Sequence, residues 1–221
     1  MARQLAFPLP ARPALGREDF YVAPSNVSAV AMLDAWQAWP QSKLVLTAPA
    51  GGGKTHLAHV WAQASGARIV SAAELPDADI PALLRGPLAV EAADTIAGHA
   101  PAEHAAFHLH NLAQAQATPL LLTARTPPSR WGLTLPDLAS RLEATTTVQI
   151  DAPDDALLHR LLEKNFADHQ LQVRPETIKY IARRMERSAG AARDIVAALD
   201  RLSLAEKRPV TRVLAARFLE H

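Results

Sequence analysis

The chain has 221 residues, a formal net charge of +1 and 20% charged residues. That is length enough for a sizeable core and too little charge bias to argue for a nucleic-acid surface. It holds no Cys, which excludes disulfides, thiolate metal sites and a thiol nucleophile. No apolar run approaches the roughly 20 residues that cross a bilayer, and Pro8, Pro10 and Pro13 interrupt any apolar core of a leader peptide, so a cytoplasmic protein without a membrane anchor is expected.

Residues 1–24 hold four prolines and no helical period, and read as an extended tail. Ser25 or Asn26 can cap a helix running to about Trp39, with Val27, Val30, Ala31, Leu33 and Ala35 as its apolar positions. A strand over 44–47 follows, then a glycine-rich loop and a helix over 56–64. Further strands are expected over 68–71, 87–91, 119–123 and 146–150, with helices over 103–116 and 135–142 between them. Strands alternating with helices imply a parallel sheet covered on both faces, here five-stranded in a three-layer αβα domain over 25–150. From Asp151 onward no strand is convincing. Helices over 154–169, 175–187, 191–204 and 211–219, punctuated by Gly190 and Pro209, predict a small all-helical lid over 151–221.

The glycine-rich loop carries the chemistry. Ala48-Pro49-Ala50-Gly51-Gly52-Gly53-Lys54-Thr55 joins an apolar strand to a helix that opens on His56, the setting of a phosphate-binding loop. Consecutive glycines let backbone N–H groups turn inward around a phosphate, and the helix N-terminus adds unpaired donors and partial positive charge. Lys54 would meet the β- and γ-phosphates, and the Thr55 hydroxyl would ligate Mg²⁺. Ala48 stands where the first glycine of such loops is usual.

Ligands of open α/β sheets lie outside the carboxyl ends of the strands. Glu91 ends one apolar strand, where an acid near the Mg²⁺ is expected, and Thr123 ends another. The position after Glu91 is Ala92, which cannot polarise water as a second acid would; Asp94 lies two residues on. Arg141 ends a helix just before the last strand, where it can point at a neighbouring subunit or pair with Asp137 at i−4. Arg193, near the start of a lid helix, can reach back to the phosphates. The nine His residues show no metal pattern; His104 and His108 share a helix at i, i+4 and read as a solvated face. The four Trp residues read as packing residues.

These elements in this order resemble the AAA+ ATPases, most closely the DnaA/Hda family. The resemblance rests on Asp19-Phe20-Tyr21-Val22 before Ser25-Asn26, on 51–58, on Val90-Glu91-Ala92-Ala93-Asp94 and on 135–142. It implies that Val22 and Asn26 lie near an adenine pocket, that Thr123 lies in the sensor-1 region, that Arg141 is an arginine finger acting in trans and that Arg193 is the sensor-2 arginine. Ala124-Arg125 departs from the Ser-Asp usual in DnaA. The working ligand is then ADP or ATP with Mg²⁺.

Two features lean toward the Hda-type members. The chain reaches His221 just after the lid, leaving no room for a helix-turn-helix domain, so no direct sequence-specific DNA binding is expected. The tail Gln4-Leu5-Ala6-Phe7-Pro8-Leu9 resembles a peptide that docks on the DNA sliding clamp: Gln4 at a pocket rim, with Leu5, Phe7 and Leu9 in an apolar cleft. The expected partners are therefore the DnaA initiator and the clamp, with a homo-oligomer also open. The expected activity is promotion of hydrolysis of DnaA-bound ATP. A helicase- or clamp-loading ATPase, and an interaction module with a degenerate nucleotide site, are the alternatives.

Overall fold

A computed structural model describes residues 20–219. Five strands, β1 (Lys43–Thr47), β2 (Arg68–Ser71), β3 (Leu88–Glu91), β4 (Leu120–Ala124) and β5 (Thr147–Gln149), form one sheet in the order β2-β3-β4-β1-β5. Every pairing is parallel. Alternation along the strands divides the core in two. Leu44, Leu46, Ala89 and Leu121 face α1 (Val27–Asp34) and α2 (Lys54–Ser65). Val45, Leu88, Val90, Leu120 and Leu122 face α3 (Ile80–Leu83), α4 (Ala100–Ala115) and α5 (Pro136–Glu143). The result is a three-layer α/β domain, as the alternation of apolar runs and helical periods predicts.

Four helices follow: α6 (Asp155–Asp168), α7 (Pro175–Ala182), α8 (Ala189–Glu206) and α9 (Arg212–Leu219). They enclose a separate core around Leu158, Leu162, Phe166, Ile181, Val196 and Leu199. Asp154 accepts a hydrogen bond from the Leu157 N–H and Ser188 one from the Ala191 N–H, so both long lid helices start on a side-chain cap. No described helix is long and apolar enough to cross a membrane.

Three expectations need correction. The first helix ends at Asp34 rather than near Trp39. The Trp39 indole donates to the Met32 carbonyl, and its ring stacks on Trp61, with centroids 5.2 Å apart. Asn26 does not cap that helix; its side chain serves the preceding turn. The helix that starts at Pro175 stops at Ala182 rather than Arg187, because the chain turns to let the Arg187 guanidinium donate to the Pro153 carbonyl and to Asp155 Oδ1.

Glu103 is a buried acid with an anchoring role. Its carboxylate accepts hydrogen bonds from the Gly98, Thr134 and Leu135 N–H groups and from the Thr134 hydroxyl. It thereby ties the start of α4 to the segment that enters α5. Burial opposes ionisation, but the hydrogen bonds outweigh it and hold the carboxyl below its usual range. A depressed carboxyl stabilises the fold fully above the ordinary value of about 4.3 and loses that contribution as pH falls through the lower folded value. Glu103→Gln is therefore expected to cost about 2 kcal/mol at neutral pH, with the deficit shrinking below pH 4. Denaturant unfolding at pH 7 and pH 3 checks it, and an equal deficit at both would refute the anchor.

Candidate functional site

Strand β1 delivers the phosphate loop. Ala48 is buried, and its N–H donates to the Ala124 carbonyl, so the loop leaves the sheet beside β4. A Cβ on Gly52 would lie 2.8 Å from the Ala48 Cβ. The methyl at the usual first-glycine position thus fills the space under the loop, and Gly52 must stay bare. Gly51 and Gly53 have φ of +68° and +94°, the left-handed region that a Cβ disfavours. Lys54 opens α2, and its ammonium donates to the carbonyls of Ala48 (2.5 Å) and Pro49 (3.0 Å). Burial, with a smaller contribution from Arg125, lowers its pKa; Asp94 and Glu91 pull the other way. A phosphate placed here would favour the charged form further.

Above the loop lies a cavity of about 600 Å³, within the range of cofactor sites. Loop residues 51–56 form its floor, Phe20, Tyr21, Ser25 and Asn26 one wall, and Ile150, Asp151 and Pro153 the crossing into the lid. Leu157, Leu161, Ala189, Gly190 and Arg193 close it from the lid side. Its lining combines apolar and aromatic side chains with Lys54, Arg193 and the loop amides. That mixture suits a ligand with a flat base and phosphates. Asn26 is buried and shapes the wall: its Oδ1 accepts from the Ala23 N–H and its Nδ2 donates to the Tyr21 carbonyl, each at 2.9 Å. Phe20 meets the His56 ring edge-on, with centroids 5.1 Å apart.

Lid and loop touch through backbone. The Gly190 N–H donates to the Gly51 carbonyl at 3.0 Å, and a Cβ on Gly190 would stand 2.9 Å from the Gly51 Cα. The lid can sit on the phosphate loop this closely only with glycine on both sides.

The fit of Mg²⁺ turns on Glu91. Its Oε1 is buried and has no hydrogen-bond partner, while Thr55 is exposed at the first turn of α2. A hard carboxylate oxygen and a hydroxyl are the donors Mg²⁺ takes when phosphates and water complete its shell. Among the described residues no cluster of three or more His, Cys, Asp or Glu side chains could hold a metal, so this ion would arrive with the phosphates. Ala92 has φ of +55° and carries no acid. Asp94 Oδ2 accepts from the Arg125 N–H at 3.2 Å and is tied to the end of β4.

Some expected site residues lie elsewhere. Val22 is exposed, and Phe20 and Tyr21 form the wall in its place. Pro49 and Ala50 are exposed on the outside of the loop. Thr123 is buried with its hydroxyl accepting from the Ala92 N–H, so it braces the β3 turn and does not face the cavity. Arg193 lines the cavity. Gln4, Leu5, Phe7 and Leu9 fall outside the described residues. The lid residues Leu157, Leu161 and Gly190 escaped sequence reasoning because their period is that of any core-facing helix; the Gly at 190, otherwise unfavourable in a helix, was the one signal.

Arg141 lies at the opposite end of the sheet from the glycine loop. Its carbonyl accepts from the Thr145 hydroxyl just before β5, level with the amino ends of the strands, about 13 Å of strand length from the loop. Its side chain is exposed and makes no ion pair among the described residues, Asp137 included.

No protein-family model matches the sequence, and no curated protein matches it significantly. Solved structures do resemble the fold. Domain III of DnaA from Thermotoga maritima superposes with a TM-score of 0.79 at 16% identity over 96% of this chain and 98% of that one. AMPPCP-bound DnaA from Aquifex aeolicus gives 0.69 at 19% identity over 88% of this chain and 66% of that one. The Holliday junction branch migration motor RuvB of Thermotoga maritima gives 0.69 at 18% identity over 93% and 71%. The architecture is thus the α/β fold of DnaA domain III, a five-stranded parallel sheet between helices.

Two outcomes test the site. Calorimetry with ADP or ATP and Mg²⁺ is expected to show binding that Lys54→Ala removes, because the ammonium facing the phosphates is gone; equal affinity in both proteins would refute the role of Lys54. Gly190→Ala forces backbone from backbone at 2.9 Å and is expected to weaken nucleotide several-fold. Gly86→Ala, which meets nothing within 4 Å, serves as the control, and equal loss in both would refute the lid contact.

Proposed function

We propose that this chain is an Hda-type regulator: an AAA+ module that binds adenine nucleotide, docks on the DNA sliding clamp through residues 4–9 and promotes hydrolysis of ATP bound to the DnaA initiator. The observation that carries the reading is a mismatch between the two ends of the domain. Beside Lys54, the residue after Glu91 is an alanine and Asp94 is tied to the Arg125 N–H, so the position after Glu91 offers no carboxylate to polarise water, a contribution typically worth 10²–10⁴-fold. At the far end, Arg141 is exposed and without an ion pair among the described residues. A planar cation supplied in trans to phosphoryl transfer is worth 10³–10⁵-fold, and lysine does not reproduce its fork. A chain with a weak centre of its own and a spare arginine at its edge is suited to completing another protein's active site.

A second reading, a motor that turns over its own ATP, has Asp94 in its favour, since that carboxylate lies within the electrostatic reach of Lys54. The experiment is hydrolysis of DnaA-bound ATP in the presence of clamp and DNA. Wild type is expected to stimulate it, Arg141→Ala and Arg141→Lys to fall by about 10³-fold or to background, and removal of residues 1–10 to abolish clamp retention with nucleotide affinity intact. Undiminished stimulation by Arg141→Ala refutes donation in trans, and rapid phosphate release by the isolated chain selects the motor.

A further inference from the structure

Arg141 rests on a structure of its own. The Phe107 ring, on α4, lies beneath it, with the guanidinium carbon 5.5 Å from the ring centroid. Phe107 is half-buried and packs against the core between sheet, α4 and α5. Behind the arginine sits a polar cluster with no carboxylate in it. Lys43 is 1% exposed, and its ammonium donates to Gln114 Oε1 at 3.0 Å and approaches His110 Nδ1 at 3.4 Å. His110 Nε2 is 3.5 Å from the Thr145 hydroxyl, which donates to the Arg141 carbonyl at 2.9 Å. Burial, and the Arg141 charge after it, lowers the Lys43 pKa to about 8, so the lysine remains mostly protonated at neutral pH. Burial likewise depresses His110 to about 4, with Lys43 and Arg141 adding to the effect, leaving the imidazole neutral.

The physical consequence is directional. A charged lysine buried without an acid repels a second cation near it, which opposes an inward turn of Arg141. The ring face attracts the guanidinium, a contact worth about 0.5–1 kcal/mol at an exposed site, and restricts the rotamers of an otherwise free side chain. Both effects leave the N–H donors unspent, whereas a carboxylate partner would have consumed them. We propose that Phe107 is a positioning residue that holds the Arg141 guanidinium outward and preorganised for an anionic group on a partner protein. The proposal rests on the reading of Arg141 as a donated arginine and adds the residue that aims it.

Phe107→Leu keeps apolar volume and removes the ring; Phe107→Tyr keeps the ring. In the stimulated hydrolysis assay, with Arg141→Ala as reference, Phe107→Leu is expected to lower the maximal rate about two- to fivefold, the factor a contact of this size supports. Phe107→Tyr should retain most of it, and nucleotide affinity and thermal midpoint should stay close to wild type in both. A wild-type rate in Phe107→Leu, or equal losses in Leu and Tyr, overturns the positioning role. If the wild type fails to stimulate, or Arg141→Ala matches it, the functional reading fails instead. A second measurement then decides the contact itself: the Arg141 δ protons should be shifted upfield by the ring in the NMR spectrum of the wild type and of Phe107→Tyr, and return to ordinary values in Phe107→Leu. Absence of that shift in the wild type also overturns the proposal.

Discussion

Strand β1 is the member on which both ends of this molecule depend. Every residue from Lys43 to Ala48 is buried, and it is flanked by β4 and β5, so it has no freedom to slide or twist independently of the sheet. Its carboxyl end sets the height of the phosphate loop, because Ala48 is hydrogen-bonded to Ala124 and its methyl fills the space beneath Gly52. Its amino end places an ammonium group beneath Arg141. A displacement of β1 would therefore be felt at the glycine loop and at the arginine together. Parallel sheets buried on both faces are suited to this, since every position is held by packing from two sides.

The strands were legible because a doubly covered parallel strand reads as a short continuous apolar run, and five such runs alternate here with helical periods. The phosphate loop was legible because three glycines before Lys54-Thr55 have few other uses between a strand and a helix. What escaped was chemistry that breaks the pattern. Glu103 reads as an ordinary acid in a first helical turn, yet it is buried and accepts from three backbone N–H groups, and only the returning 132–135 segment reveals why. His110 shares a helix with the exposed His104 and His108 but is buried against Lys43. Two residues beyond His108 turn the helix by about 200°, which carries His110 to the buried side. The wall of the cavity was misplaced from Phe20 and Tyr21 to Val22 because the turn there is set by Asn26, whose two side-chain hydrogen bonds have no signature in one dimension. The short helix α3 and the 3₁₀ turn at Ala72–Asp77 fall below the length at which a period is readable.

The two ends of the sheet handle charge in opposite ways. Around Lys54 the acids Glu91 and Asp94 oppose the lowering of its pKa, so charges of both signs stand beside the glycine loop. Around Arg141 the cluster of Lys43, His110, Gln114 and Thr145 includes no acid, and the nearest stabilising group is an aromatic face. Burying a lysine beside neutral partners costs stability that a paired or apolar residue would not. Packing alone gives no reason for it at that position; a sustained positive potential at the amino ends of the strands does.

Ala92 links these observations. A non-glycine residue at φ +55° is uncommon, and Asn and Asp are its commoner occupants, yet an alanine stands here. The turn is nevertheless kept intact: the Ala92 N–H donates to Thr123 and its carbonyl accepts from the Thr95 hydroxyl and N–H. Thus the turn next to Glu91 is held by backbone and hydroxyl hydrogen bonds, Ala92 presents no group that acts on water, and the buried Glu91 Oε1 has no hydrogen-bond partner. Donors suited to phosphates and a metal ion beside a position that carries no acid are what the proposed partner-completing module requires, and the Gly51–Gly190 contact joins the lid directly to that loop.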